Sequence, residues 1–88
     1  MLLLSRVLRS SIHPSLGVLQ DANQIVGERI RKLRLAKGFT QDRFAEHSGL
    51  NRSHLYRVET GRQSPTVGTL KTIADALDLR VKDLVKDL

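Results

Sequence analysis

From Val26 onward, apolar residues recur at three- and four-residue intervals, with polar residues between them. That is the period of a helix with one buried face, and no stretch alternates at the period of a strand. Val26, Ile30, Leu33 and Ala36 share a face and predict a helix from about Gln24 to Lys37, with Asn23 as its cap and Gly38 ending it. Thr40 caps a second helix, Gln41 to about His47, which buries Phe44 and Ala45. A third, Arg52 to Glu59, buries only Leu55 and Val58 and is closed by Gly61. Ser64-Pro65 has the form of a helix start, with serine as cap and proline in the first helical position. The helix it opens places Val67, Leu70, Ile73, Ala74 and Leu77 in the strongest apolar stripe of the chain. A fifth, about Val81 to Lys86, offers Val81, Leu84, Val85 and Leu88. The class is all-α: a compact five-helix domain with no internal repeat.

Residues 1–22 do not continue the pattern. Leu3, Leu4, Val7, Leu8 and Ile12 have a helix-like spacing opposite Ser5, Arg6, Arg9 and Ser10. No acid precedes Asp21, and His13-Pro14-Ser15 interrupts any helix. The segment reads as an N-terminal extension to a domain spanning 23–88. It fits an amphipathic arm that packs on the domain or on a second subunit, a flexible tail, or an Arg- and Ser-rich targeting peptide. The arginines interrupt the apolar run, which argues against a secretory signal. No run reaches the roughly 20 apolar residues of a membrane span.

Helices two and three are joined by Ser48-Gly49-Leu50-Asn51. Glycine at the second position takes the left-handed backbone angles that let two short helices meet steeply. Asn51 supplies a side-chain oxygen to the bare N–H groups that open helix three. That helix leaves Arg52, Ser53, His54, Tyr56 and Arg57 pointing outward. A short helix with a narrow apolar stripe and a front of donors suits the DNA major groove.

Charge supports this reading by where it falls. The net charge is +6, and residues 24–63 carry nine Lys/Arg against four Asp/Glu, whereas residues 64–88 are balanced at four and four. The basic excess thus accompanies the helix pair, as phosphate binding requires. Phe39, Phe44 and Tyr56 are the three aromatic residues, too few for base-stacking platforms on single-stranded RNA. The absence of cysteine removes disulfides, thiolate metal sites and a cysteine nucleophile, and fits a reducing cytoplasm. His13, His47 and His54 lack ligand spacing, and no Gly-rich phosphate loop or nucleophile motif is present. Neither catalysis nor a metal or cofactor is expected.

The stretch IRKLRLAKGFTQDRFAEHSGLNRSHLYRVETGRQSPTVGTLKTIADALDL resembles the lambda-repressor-like (XRE/Cro-type) helix-turn-helix family of phage repressors and bacterial regulators. The match covers about Gln24 to Leu84. It rests on the arginine of KLR, the Thr-Gln that opens helix two, the Ala-x-x-x-Gly spacing into the turn, the E-x-G that closes helix three, and the SP before helix four. The resemblance implies that Arg52, Ser53, His54 and Arg57 face DNA bases, and that Thr40, Gln41, Asn51, Tyr56, Thr60 and Arg62 face phosphates. Arginine at the head of such a helix donates two hydrogen bonds to guanine O6 and N7. It also implies that Arg34 and Glu59 form a partly buried ion pair that fixes helix three in place. One departure from the family pattern is Arg80, standing where serine or threonine caps helix five, which leaves Asp78 as the alternative cap.

The function implied is a cytoplasmic, sequence-specific regulator of transcription that binds double-stranded DNA. One recognition helix touches few base pairs, so two are expected to act as a homodimer on an inverted repeat, about 34 Å apart. The alternative is a protein-interaction module that uses the same fold to bind a protein partner, such as a toxin or the transcription machinery, through its Leu-rich N-terminus.

Overall fold

A computed structural model describes residues 16–88, and these form five helices without a strand. They are α1 (Leu16–Ala36), α2 (Gln41–Ser48), α3 (Arg52–Glu59), α4 (Val67–Ala76) and α5 (Val81–Val85). The expectations for residues 1–15 lie outside the described residues.

Several expected positions shift, each for a local reason. Helix α1 begins at Leu16 rather than near Gln24, so Asn23 lies within the helix instead of capping it. Leu16 to Ala22 contains no proline, and its leucines, Gln20 and Ala22 favour the helix enough to carry it through Gly17. Ala36 is exposed, because the buried stripe runs through Val26, Gly27, Ile30 and Arg34. Two of those four are not apolar residues, and a hydrophobic count passes over them.

Helix α4 begins after Ser64-Pro65, not on it. Thr66 has extended angles (φ −72°, ψ 164°), close to those of Thr40 at the start of α2 (φ −74°, ψ 166°), and its hydroxyl accepts the N–H of Thr69 at 3.1 Å. Val67 becomes the first helical residue and stands 76% exposed, outside the stripe expected to hold it. At the far end Lys86 leaves helical geometry, so Leu88 is 59% exposed rather than packed. Asp78 does not cap α5; it takes a left-handed φ of 58° after α4. Arg80 occupies the cap position, and its own N–H donates to Asp83 Oδ2 at 2.9 Å.

Ile30, Phe44, Leu55, Val58, Ile73, Leu77 and Leu84 are fully buried at the centre. Each side chain of this size stabilises the fold by about 1.5–3 kcal/mol through burial. The core gathers α1 against α3 and α5, α2 against α3 and α4, and α4 against α5. Phe39 meets the Phe44 ring edge-to-face at 5.4 Å and stacks on the exposed His47 at 5.0 Å. The brief α5 is tied down from outside: Arg29 Nη1 donates to the carbonyls of Leu84 and Lys86. Carbonyls at a helix end have no partner within the helix, and here α1 supplies it.

Candidate nucleic-acid interface

The presentation of α3 begins with two local devices. Gly49 takes φ 79° and ψ 8° after α2, which turns the chain without a Cβ penalty. Asn51 Oδ1 then accepts the N–H groups of Ser53 at 2.8 Å and His54 at 3.2 Å. Two N–H groups in the first turn of α3 are thus satisfied by its own cap, and the amide –NH₂ of Asn51 remains to donate outward.

The inner side of α3 is locked from its C-terminal end. Arg34 Nε and Nη2 donate to the two carboxylate oxygens of Glu59 at 2.6 and 2.9 Å, and Arg34 Nη1 donates to the Phe39 carbonyl at 2.7 Å. Both residues are 4% exposed, so the pair is buried rather than partly buried as expected. Gln41 Nε2 adds a third bond to Glu59 Oε1 at 3.1 Å. Among the described residues no buried side-chain polar atom lacks a partner. Such a pair tolerates burial because each of its side-chain nitrogens and oxygens has a partner.

Close approach of backbones completes the lock. Gly27 of α1 sits against the last turn of α3, where a Cβ would lie 2.6 Å from the Glu59 carbonyl oxygen and closer still to that of Val58. Only glycine fits there. Nothing in the apolar periodicity pointed to Gly27, although a glycine inside a helical pattern is itself a signal of close packing.

The outer side gathers five of the expected residues. Gln41, Arg52, Ser53, Tyr56 and Arg57 line one shallow concavity between the N-terminus of α2 and the exposed face of α3. Thr40 is adjacent: its hydroxyl oxygen accepts the N–H of Arg43 at 3.1 Å, which leaves its proton free to donate outward. Arg62 lies over the Tyr56 ring, 5.6 Å from Cζ to centroid, so the two act as one cationic unit. His54 is half-buried at the flank and outside the concavity. Thr60 differs from expectation. Its hydroxyl donates to the Tyr56 carbonyl at 2.8 Å, closing α3, so its proton is already committed within the chain.

Two residues at this surface were missed from sequence. Asp42 Oδ1 stands 2.9 Å from Arg52 Nε, and Gln63 Oε1 accepts from Arg57 Nε at 2.8 Å. Each joins residues from different elements, which no local pattern reports.

A helix-turn-helix family model matches residues 30–84, which is most of the chain and contains α2, the turn and α3. The chain belongs to the helix-turn-helix family. It is of the lambda-repressor-like kind that its motifs resembled, and as a member it is a DNA-binding regulator rather than an enzyme. An uncharacterised HTH-type transcriptional regulator of Sinorhizobium fredii is 38% identical over 65 residues, 74% of this chain and 84% of that protein. The control protein C.SmaI of Serratia marcescens is 34% identical over 65 residues, 74% of this chain and 77% of its own. Among solved structures, the restriction–modification controller protein C.AhdI of Aeromonas hydrophila superposes with a TM-score of 0.68 at 37% identity, covering 70% of this chain and 94% of that one. Among the described residues of this helix-turn-helix protein, no helix is long and apolar enough to cross a membrane.

Proposed function

We propose that this protein is a sequence-specific regulator of transcription that binds double-stranded DNA as a homodimer, each copy laying α3 in the major groove of one half of an inverted repeat. The observation that carries the reading is the two-sidedness of α3. Its inner side is held rigidly by Arg34, Glu59 and Gly27, while its outer side presents Arg52, Ser53 and Arg57 on one concave surface. A reading helix needs both: side chains that reach base edges, and a mounting that fixes their register.

In this reading Arg52, Ser53 and Arg57 read bases, with His54 at the edge of the contact. Thr40, Gln41, Tyr56 and Arg62 hold phosphates, assisted by the backbone N–H groups that open α2. Asn51 and Thr60 act mainly by capping and closing α3. The likeness to two controller proteins favours a small regulator that acts through occupancy of its site, with a second copy doubling the number of base pairs read.

Backbone amide shifts on titrating the labelled protein with a mixed-sequence duplex test the contact surface. Shifts are expected at Thr40 to Arg43 and at Asn51 to Arg57. Shifts confined to α5 or to the N-terminal segment, with α3 silent, would count against it. Light scattering of the protein with and without duplex tests the dimer, and one copy on one short site would rule it out.

A further inference from the structure

The two arginines on the outer side of α3 each meet a residue from outside the helix at Nε, Arg52 through an exposed ion pair and Arg57 through a hydrogen bond. Asp42 Oδ1 lies 2.9 Å from Arg52 Nε, and Gln63 Oε1 accepts from Arg57 Nε at 2.8 Å. In each case the partner occupies the Nε flank of the guanidinium. The hydrogen bonds among the described residues use neither pair of terminal Nη groups. The fork at the end of each side chain is therefore open while its stem is restrained.

We infer that Asp42 and Gln63 are specificity-determining positioning residues, which aim the Nη pairs of Arg52 and Arg57 end-on at guanine edges. The inference rests on the DNA-binding reading given above. Guanine offers O6 and N7 side by side in the major groove, a spacing that a guanidinium fork matches with two parallel bonds. An unrestrained arginine reaches phosphates as readily as bases and loses more side-chain freedom on binding. One held at Nε gives up less and has fewer ways to satisfy itself on the wrong sequence.

Both partners are placed by the backbone. Asp42 stands in the first turn of α2, where the helix dipole favours a carboxylate. The dipole accounts for an acid there but not for its reach across to Arg52 on α3. Gln63 follows Gly61, whose φ of 74° folds the chain back over the end of α3. The N–H groups of Arg62 and Gln63 both bond to the Arg57 carbonyl, at 2.9 and 3.2 Å, which brings the Gln63 side chain beside Arg57 Nε.

Charge gives Asp42 a second effect. Arg52 and Asp42 are 64% and 69% exposed, so the pair adds little to folding stability. Toward DNA, however, a carboxylate on the binding face repels phosphates and offsets part of the arginine's attraction for any duplex. It weakens the sequence-independent binding that competes with the specific site.

The test uses the duplex that wild-type protein enriches from a random pool, with each guanine replaced by adenine in turn. Wild type is expected to lose roughly ten- to hundredfold in affinity at the guanine under Arg52, the range of a good two-bond contact. Asp42→Ala should reduce that penalty to about threefold or less and bind random duplex more tightly. Asp42→Asn keeps an acceptor oxygen without the charge. It should retain most of the guanine preference while sharing the tighter random binding. Gln63→Ala should relax the preference at a second, separate guanine. Thermal melts of all three variants should stay within several degrees of wild type. Retention of the full guanine penalty by Asp42→Ala overturns the inference, as does equal loss on selected and random duplex. Failure of wild type to enrich any duplex overturns the DNA reading itself, an outcome distinct from either.

Discussion

Arg34 and Glu59 face each other from α1 and α3 through two parallel N–H to oxygen bonds of 2.6 and 2.9 Å, wholly inside the protein. Glu59 is the last residue of α3, and Gln41 at the head of α2 bonds to the same carboxylate. One buried carboxylate thereby joins three helices, and the orientation of the outward-facing side chains of α3 depends on it.

Glu59→Ala leaves the Arg34 guanidinium buried without its counter-charge, and Gln41 without its acceptor. Loss of one partner of such a pair costs about 3–5 kcal/mol. Urea denaturation should show an unfolding free energy reduced by that amount, a large share of the stability of a domain this small. A variant within about 1 kcal/mol of wild type would show that the pair is dispensable to the fold.

Two glycines should respond to alanine with opposite signs. Gly27→Ala drives a methyl group into the carbonyls of Val58 and Glu59, so α1 and α3 must separate, and a loss of about 1–3 kcal/mol is expected. Gly68 lies in α4, where an added Cβ meets nothing nearer than the Thr66 hydroxyl at 3.7 Å. Gly68→Ala should therefore gain up to about 0.5–1 kcal/mol by reducing the freedom of the unfolded chain. Paired thermal melts check both signs at once.

The cap of α3 offers a graded test. Asn51→Ala removes the oxygen that holds the N–H groups of Ser53 and His54, and should cost about 1 kcal/mol. Asn51→Asp and Asn51→Ser keep an acceptor and should recover most of it. Hydrogen exchange at Ser53 and His54 reports the same effect locally, with faster exchange expected in the alanine variant alone.

These contrasts also mark what was legible in the sequence. The boundaries of α3, its cap Asn51, the left-handed Gly49 and the buried Leu55 and Val58 follow from local chemistry, and local chemistry is what a sequence displays. The start of α1 was misjudged because Asn23 looks like a cap yet equally sits inside a helix. The start of α4 was misjudged because Ser64-Pro65 and Thr66 are competing signals two residues apart. Gly27, Asp42 and Gln63 were missed for a different reason. Each matters through a partner on another element: the α3 carbonyls, Arg52 on α3 and Arg57 six residues back across a turn. The Arg34–Glu59 pair spans a similar distance, and it was expected only through resemblance to the family.

Arg52→Ala should weaken binding to the preferred site by roughly ten- to hundredfold and remove discrimination at one base position, with a clearly smaller loss on random duplex. Arg62→Ala should instead weaken binding to all sequences alike and reduce the dependence on salt by about one ion. Competition binding with selected and random duplexes separates the two. Identical behaviour of the two variants would contradict the division between base-reading and phosphate-holding residues.

The central claim is that α3, held by Arg34 and Glu59, reads double-stranded DNA in two copies. Selection from a random duplex pool, followed by sequencing and a salt titration of the enriched site, tests it most directly. The account predicts an inverted repeat with half-sites about one helical turn apart, and affinity that falls steeply as salt rises. A pool that stays random, with only weak salt-sensitive binding, would contradict it.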